Sequence, residues 1–225
     1  MERISKDRLH RFYNSYYKSV YKPGSQKNQG IIVITIMTKK ELRNIYREKR
    51  IAISSKERLK LDDLLLIQFQ QLYFEDVQVL FSYWPKSSTQ EPNTLLFTAF
   101  LRHMIPSLQI AYPVTDVATA TMQAILINGE TVYHTNAYGI NEPTEGAVLD
   151  PRSIDLVFVP LMIYDKEGYR VGYGKGFYDK YLEQCNNSVI KIGFSYFEPV
   201  EKIDDAALFD VPLNYCVTPQ KVYEF

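Results

Sequence analysis

The spacing of apolar and polar positions changes period several times along the chain, and each change predicts an element. From Met37 the pattern is helical over 38–53, with Leu42, Ile45, Tyr46 and Lys49 on related faces. Ser54-Ser55-Lys56-Glu57 has the form of a capping box. It predicts a second helix to about Tyr73, with Leu61, Leu64, Leu65 and Phe69 as its buried stripe. Val77–Trp84 reads as a strand, and Pro92 opens a third helix with Leu95, Leu96, Ala99, Phe100 and Met104 apolar. Short strands follow at Ile110–Val114 and Met122–Ile127. Asp155–Pro160 is continuously apolar after its first residue, as in a central strand covered on both faces. A helix over 176–184 and strands at Ile190–Tyr196 and Tyr215–Thr218 complete the series. Helices alternating with buried strands predict an α/β fold with a mostly parallel sheet flanked by helices in three layers.

The first 36 residues lack either period. They carry seven basic residues against two acidic ones, and a Pro23-Gly24-Ser25 stretch. We expect a basic extension outside a single domain at 37–225, poorly ordered or non-native, with Met37 as the functional start. The run Ile31–Ile36 is β-prone, and left undocked it is a liability, so it is expected to pair as an edge strand. An RNA- or membrane-binding arm is the competing reading.

Charge and composition then exclude classes of function. The whole chain balances 26 Lys+Arg against 26 Asp+Glu, unlike a nucleic-acid coat. Its 46% hydrophobic content excludes a disordered acidic protein. No apolar run in the first fifty residues approaches the roughly 20 residues of a membrane span. Cys185 and Cys216 have no paired spacing, and His10, His103 and His134 have no ligand spacing. These features predict a cytoplasmic protein with neither a disulfide framework nor a zinc site.

The segment with chemistry in it is Gly168 to Leu182. Gly172, Gly174 and Gly176 alternate with Tyr173 and Lys175, ahead of a predicted helix. Glycines let backbone N–H groups approach an anion, and Arg170 and Lys175 add full charges. A helix N-terminus would add its dipole. The spacing fits neither a Walker A loop nor a dinucleotide-binding fingerprint. Spacing alone leaves a phosphate cradle and a tight turn joining a hairpin to a helix equally open. Asp179 reads either as a first-turn acid or as a Mg²⁺ ligand.

The stretch Arg170-Val-Gly-Tyr-Gly-Lys-Gly-Phe-Tyr-Asp179 resembles the R-L-G-x-G-x-G-Y-Y-D signature of the 5-formyltetrahydrofolate cyclo-ligases, with Val171 and Phe177 as departures. Asp155–Pro160 and the Asp165–Gly168 turn match the upstream part of that pattern, with Leu161 for a small residue and Tyr164 for Phe. Lys39-x-x-x-Arg43, Arg50, Glu91-Pro-Asn-Thr94 and Gly139-Ile-Asn-Glu-Pro143 match further motifs in order. Near the C-terminus Phe209-Asp210 resembles an H/N-D pair, and Asn214 stands where many relatives have Asp. The resemblance covers about 38–220.

It implies a NagB/RpiA/CoA-transferase-like fold and an ATP- and Mg²⁺-dependent ligase. Such an enzyme cyclises 5-formyltetrahydrofolate, with or without polyglutamate, to 5,10-methenyltetrahydrofolate, releasing ADP and phosphate through a phosphorylated formyl group. A paralogue that binds nucleotide and folate, or another substrate, without this activity is the alternative. The resemblance further implies that Gly172, Gly174, Gly176, Phe177, Tyr178, Lys39, Arg43 and Arg50 bind ATP, and that Arg170 and Lys175 serve the phosphoryl group. Asp179 and Asp210 would hold Mg²⁺. Glu91 would contact the pterin, with Tyr83, Trp84 and Tyr138 as further substrate contacts and Glu142 and Pro143 shaping the same wall. Both nucleophiles would belong to the substrate, which agrees with the lack of a Ser, Cys or His triad. A monomer without nucleic-acid or membrane partners is expected.

Overall fold

The computed structural model describes residues 37–207 and 209–225. The expectations for 1–36, including the edge strand at Ile31–Ile36, lie outside the described residues. Helix α1 (Lys39–Ile51) begins at Thr38, whose side chain accepts from the Glu41 N–H while Glu41 reaches back to the Thr38 N–H. Its buried positions are Leu42, Tyr46 and Arg50, a stripe at i, i+4, i+8. Helix α2 (Ser55–Phe69) is capped by Ser54. It ends four residues before the predicted Tyr73, because the chain turns at Gln70 and brings the Phe74 ring 5.1 Å from that of Phe69. Its buried stripe is Asp62, Leu65 and Phe69, and Leu61 and Leu64 are only half-buried.

Strand β1 is Val79–Phe81, much shorter than Val77–Trp84. A 3-10 turn at Ser87–Thr89 precedes helix α3 (Thr94–Met104). That helix starts two residues past Pro92, since the Asn93 N–H is taken by Asp62 and the Thr94 hydroxyl by the Tyr83 carbonyl. Its core face is Phe97 and Leu101, whereas Ala99 and Met104 point to solvent. Strands β2 (Gln109–Asp116) and β3 (Thr121–Leu126) form a hairpin. A second, separate hairpin joins β4 (Tyr133–Thr135) to β5 (Asn141–Pro143). Strand β6 is Leu156–Val159. A third hairpin, β7 (Ile163–Tyr164) and β8 (Arg170–Val171), leads through the glycine loop into helix α4 (Phe177–Leu182). Strands β9 (Ile190–Phe194), β10 (Tyr215–Val217) and β11 (Val222–Glu224) follow.

The main sheet has seven strands in the order β11-β10-β9-β6-β1-β2-β3. The five inner strands are parallel, and antiparallel β3 and β11 form the edges. All four residues of β6 are buried, which requires cover on both faces. Paired residues on neighbouring strands point to the same side. Phe158 pairs with Ile192, so Phe158 and Phe194 share one face, and there Phe69 of α2 and Phe97 of α3 meet them. Phe81 pairs with Val157 and so lies on the opposite face, against Tyr178 and Tyr181 of α4. The sheet is thus the middle of three layers. Edge strand β11 was absent from the sequence pattern: it is three residues long, and only its pairing with β10 defines it. Among the described residues no helix is long and apolar enough to cross a membrane.

Candidate active site

Chains leave parallel strands at their C-terminal ends, where α/β folds bind ligands. The segments after β1 and β6 carry Tyr83, Trp84 and Glu91, and the hairpin that presents the glycine loop. Asp165 shapes the tip of that hairpin: Oδ1 accepts from the Glu167 and Tyr169 N–H groups at 3.0 Å each, and Oδ2 accepts from Ile203. Gly174 and Gly176 then adopt φ of +87° and +71°, the left-handed region that side chains disfavour. Gly176 is the N-cap of α4. That helix is six residues long, shorter than 176–184, so its dipole is weaker than a longer helix would supply.

The three cations singled out on the first helix all reach the loop or its neighbours. Lys39, Arg43 and Arg50 lie four and then seven residues apart, near whole numbers of turns. Lys39 Nζ is ion-paired with Asp210. Arg43 Nε donates to the Gly172 carbonyl at 2.8 Å. Arg50, 1% exposed, donates to the Leu161 carbonyl at 2.6 Å, to the Met162 carbonyl at 3.3 Å and to the Tyr173 hydroxyl at 3.2 Å. Arg50 thereby pins the end of β6 to the middle of the loop.

Arg170 is buried. It donates to Asp179 Oδ1 at 2.9 Å and to the Val211 carbonyl at 2.5 Å. The Val211 N–H also donates to Asp179 Oδ1, at 3.2 Å. That contact ties the backbone next to Asp210 to Asp179. Asp210 Oδ2 accepts from the Ala207 N–H at 2.5 Å as well as from Lys39. Among the described residues, each carboxylate is thus engaged through one oxygen. Two hard oxygen donors suit Mg²⁺, which takes few protein carboxylates and fills the rest with phosphate oxygens and water. Among the described residues there is no group of three or more His, Cys, Asp or Glu that could hold a metal by itself. Lys175 is exposed, and no ion pair engages it among the described residues.

Glu91 is 5% exposed. Its Oε2 accepts from the Lys86 N–H at 2.6 Å, and its Oε1 accepts from the Tyr173 hydroxyl. Burial raises the Glu91 carboxyl above the ordinary carboxylate range, against the hydrogen bonds from Tyr173 and Lys86 and the Arg50 charge. The Tyr83 and Tyr178 phenols are pushed up by burial and by the nearby Glu91 charge. Arg50, Tyr83, Glu91, Tyr173 and Tyr178 therefore interact as one cluster. The Tyr178 ring stacks on Phe81, its buried hydroxyl has no partner among the described residues, and Phe177 packs half-buried on the core. Trp84 lies against Tyr112 and Tyr133, with ring centroids 5.9 and 5.1 Å away. Glu142 of β5 accepts from the Thr115 hydroxyl at 2.7 Å. Tyr138 sits on the β4–β5 turn, with no contact to the Glu91 cluster in the hydrogen bonds or ring pairs above. Asn214 Oδ1 accepts from the Lys191 N–H, so that side chain bridges β9 and β10.

Three further residues went unread in the sequence. Asp62, 2% exposed, accepts from the Tyr196 hydroxyl at 2.7 Å and from the Asn93 N–H at 3.1 Å. Tyr196 also donates to the Glu91 carbonyl at 3.4 Å, so this pair anchors the backbone that carries Glu91. An acid on the stripe of Leu65 and Phe69 was the available signal. Tyr173 read as a spacer between glycines, and nothing in its spacing marked it.

The fold and site define a mostly parallel α/β protein in which a cationic helix meets a glycine loop and the segment carrying Asp210, which is bonded to Asp179 through the Val211 N–H. A profile of the 5-formyltetrahydrofolate cyclo-ligase family matches residues 35–219, and the chain belongs to that family. It is similar to the 5-formyltetrahydrofolate cyclo-ligase of Mycoplasma genitalium, 36% identical over 69 residues, which are 30% of this chain and 42% of that protein. Its match to the Mycoplasma pneumoniae protein of the same name covers 46% of that relative, so the chain spans under half the length of either. The Haemophilus influenzae 5-formyltetrahydrofolate cyclo-ligase is 29% identical over 150 residues, covering 63% of this chain and 77% of that one. Among solved structures, the Aquifex aeolicus 5,10-methenyltetrahydrofolate synthetase superimposes with a TM-score of 0.69 and 28% identity, covering 84% of this chain and 93% of that one. A 5,10-methenyltetrahydrofolate synthetase from Mycoplasma pneumoniae gives 0.63 and 27%, covering 80% and 98%.

Proposed function

We propose that this protein is an enzyme that cyclises 5-formyltetrahydrofolate to 5,10-methenyltetrahydrofolate, consuming ATP with Mg²⁺ and releasing ADP and phosphate. The observation that carries the reading is the convergence of Lys39, Arg43 and Arg50 on the glycine loop and its carboxylates, with buried Glu91 bonded to the same loop.

The chemical difficulty is a formamide carbon of low electrophilicity. Phosphorylation of the formyl oxygen makes it a leaving group, and nitrogen 10 of the folate then closes the ring. Both nucleophiles come from the substrate, so the protein must position groups and neutralise charge. Mg-ATP, when bound, supplies the phosphoryl group. Asp179 and Asp210 would hold the metal through their remaining oxygens. The loop N–H groups at 172–176, with Lys175 and Arg43, would bind phosphate oxygens. Arg170 would keep Asp179 oriented. Glu91 would accept paired N–H bonds from the pterin edge, which fits a buried carboxylate better than an exposed one.

The test is to incubate the protein with 5-formyltetrahydrofolate and Mg-ATP, following methenyl absorbance and released phosphate together. Equal appearance of both supports the reading. Nucleotide binding without methenyl formation refutes it in favour of a binding paralogue.

A further inference from the structure

Tyr173 belongs to neither of the roles above, yet it touches both halves of the site. The residue keeps 37% of its surface exposed, while its hydroxyl donates to Glu91 Oε1. The two Glu91 oxygens are held very differently. Oε2 is bonded by a backbone N–H of the segment entering the 3-10 turn. Among the described residues, Oε1 is bonded only by a side chain on a loop with glycine at both neighbouring positions, Gly172 and Gly174. Arg50 Nη1 lies 3.2 Å from the Tyr173 hydroxyl, and its other amino group is fixed on two backbone carbonyls. Arg50 would therefore stay and balance the Glu91 charge if Tyr173 left. Thr89 Oγ1, 3.5 Å from the same hydroxyl, sits at the far side of the contact.

We propose that Tyr173 is a latch: its hydroxyl occupies Glu91 Oε1 in the empty protein, folate displaces it, and the displacement releases the phosphate-handling loop. The inference rests on the folate reading of Glu91. A pterin edge with paired N–H donors would bond both carboxylate oxygens, and each already accepts one bond, Oε2 from the Lys86 backbone N–H and Oε1 from the Tyr173 side chain; of these two donors only the side chain can swing away. In this latch the entering folate exchanges the Tyr173 bond for one of its own, and the loop carrying Tyr173, Lys175 and the loop N–H groups loses its tie to Glu91 while Arg43 still holds the Gly172 carbonyl. Tyr173 is in this sense a positioning residue, coupling occupancy of one half-site to the freedom of the other.

The experiment compares the native chain with Tyr173→Phe, which keeps the ring and removes only the hydroxyl. Folate affinity is measured calorimetrically with 5-formyltetrahydrofolate and no nucleotide, at about pH 8, above the carboxylate range. Removing the competing charge-assisted bond should tighten folate binding by roughly tenfold or more. Damage to the site would instead weaken binding, so the direction separates the latch from a merely structural role. Hydrogen exchange of the 172–176 amides in the native protein provides a reading that needs no variant: added folate should speed it towards the rate of unliganded Tyr173→Phe. Folate binding by the native chain with equal or weaker binding by Tyr173→Phe overturns the latch alone, as does loop exchange that folate leaves unchanged. A native chain that binds no folate overturns the folate reading and the latch together.

Discussion

The three glycines of the loop do different things, and alanine substitutions separate them. Gly174 and Gly176 hold φ of +87° and +71°. An L side chain in that region costs roughly 1–2 kcal/mol. Alanine recovers about 0.4–1 kcal/mol by restricting the unfolded chain, leaving a net loss on the order of 1 kcal/mol at either position. Gly172 has no such φ, and a Cβ there meets nothing within 4 Å. Gly172→Ala should therefore match or exceed native stability by the same unfolded-chain effect. At Gly174 the new Cβ would lie 3.4 Å from the Arg43 guanidinium carbon, ordinary contact that adds little strain. Thermal unfolding should place Gly174→Ala and Gly176→Ala about 2–4 °C below the native protein and Gly172→Ala at or above it. If the loop binds phosphate as proposed, the Michaelis constant for Mg-ATP should also rise for Gly172→Ala, because phosphate oxygens would approach the backbone through the open space beside Gly172. Equal destabilisation at all three positions would refute the conformational argument. An unchanged Mg-ATP constant in Gly172→Ala would refute phosphate approach at that glycine.

Other outcomes follow from the same geometry. Arg50→Met leaves the Leu161 and Met162 carbonyls without their donor, and denaturant titration should show a loss of about 2–4 kcal/mol. Phe97→Ala removes a fully buried ring stacked 4.1 Å from Phe194, and should cost about 3–5 kcal/mol in the same measurement without changing the Michaelis constants of the folded fraction. Burial raises the Glu91 carboxyl, so the folded state holds its proton more tightly than the unfolded state. The stability from that proton is complete below the unfolded carboxylate range and is lost as pH rises through the raised folded value. Glu91→Gln should flatten that part of the pH–stability curve. If Glu91 binds the pterin edge as proposed, folate binding should have the opposite slope, because it would need the ionised carboxylate. The native Michaelis constant for folate should fall as pH rises through the same window, and in Glu91→Gln it should be high and insensitive to pH there.

Much of this molecule follows from local rules. The period of the apolar positions placed helices and strands in the right order, and caps at Thr38 and Ser54 need only neighbouring residues. The unbroken apolar run at Leu156–Val159 marked a strand buried on both faces, since no half-exposed strand tolerates it. The glycine loop was likewise visible as spacing. Element lengths were less legible, because tertiary partners end them: Asp62 takes the Asn93 N–H and so sets where α3 starts, and pairing with β10 alone makes Val222–Glu224 a strand. Contacts between residues far apart in sequence could not be read at all. Tyr173 meets Glu91 because parallel strands deliver the segments after them to one place, and Lys39 and Arg50 meet Asp210 and Leu161 because helix α1 packs against those segments. Sequence alone determined which groups were available for the chemistry. Only the packed sheet decided which of them share a charge, because burial and distance, the quantities that set electrostatic strength, belong to the fold and not to the order of residues.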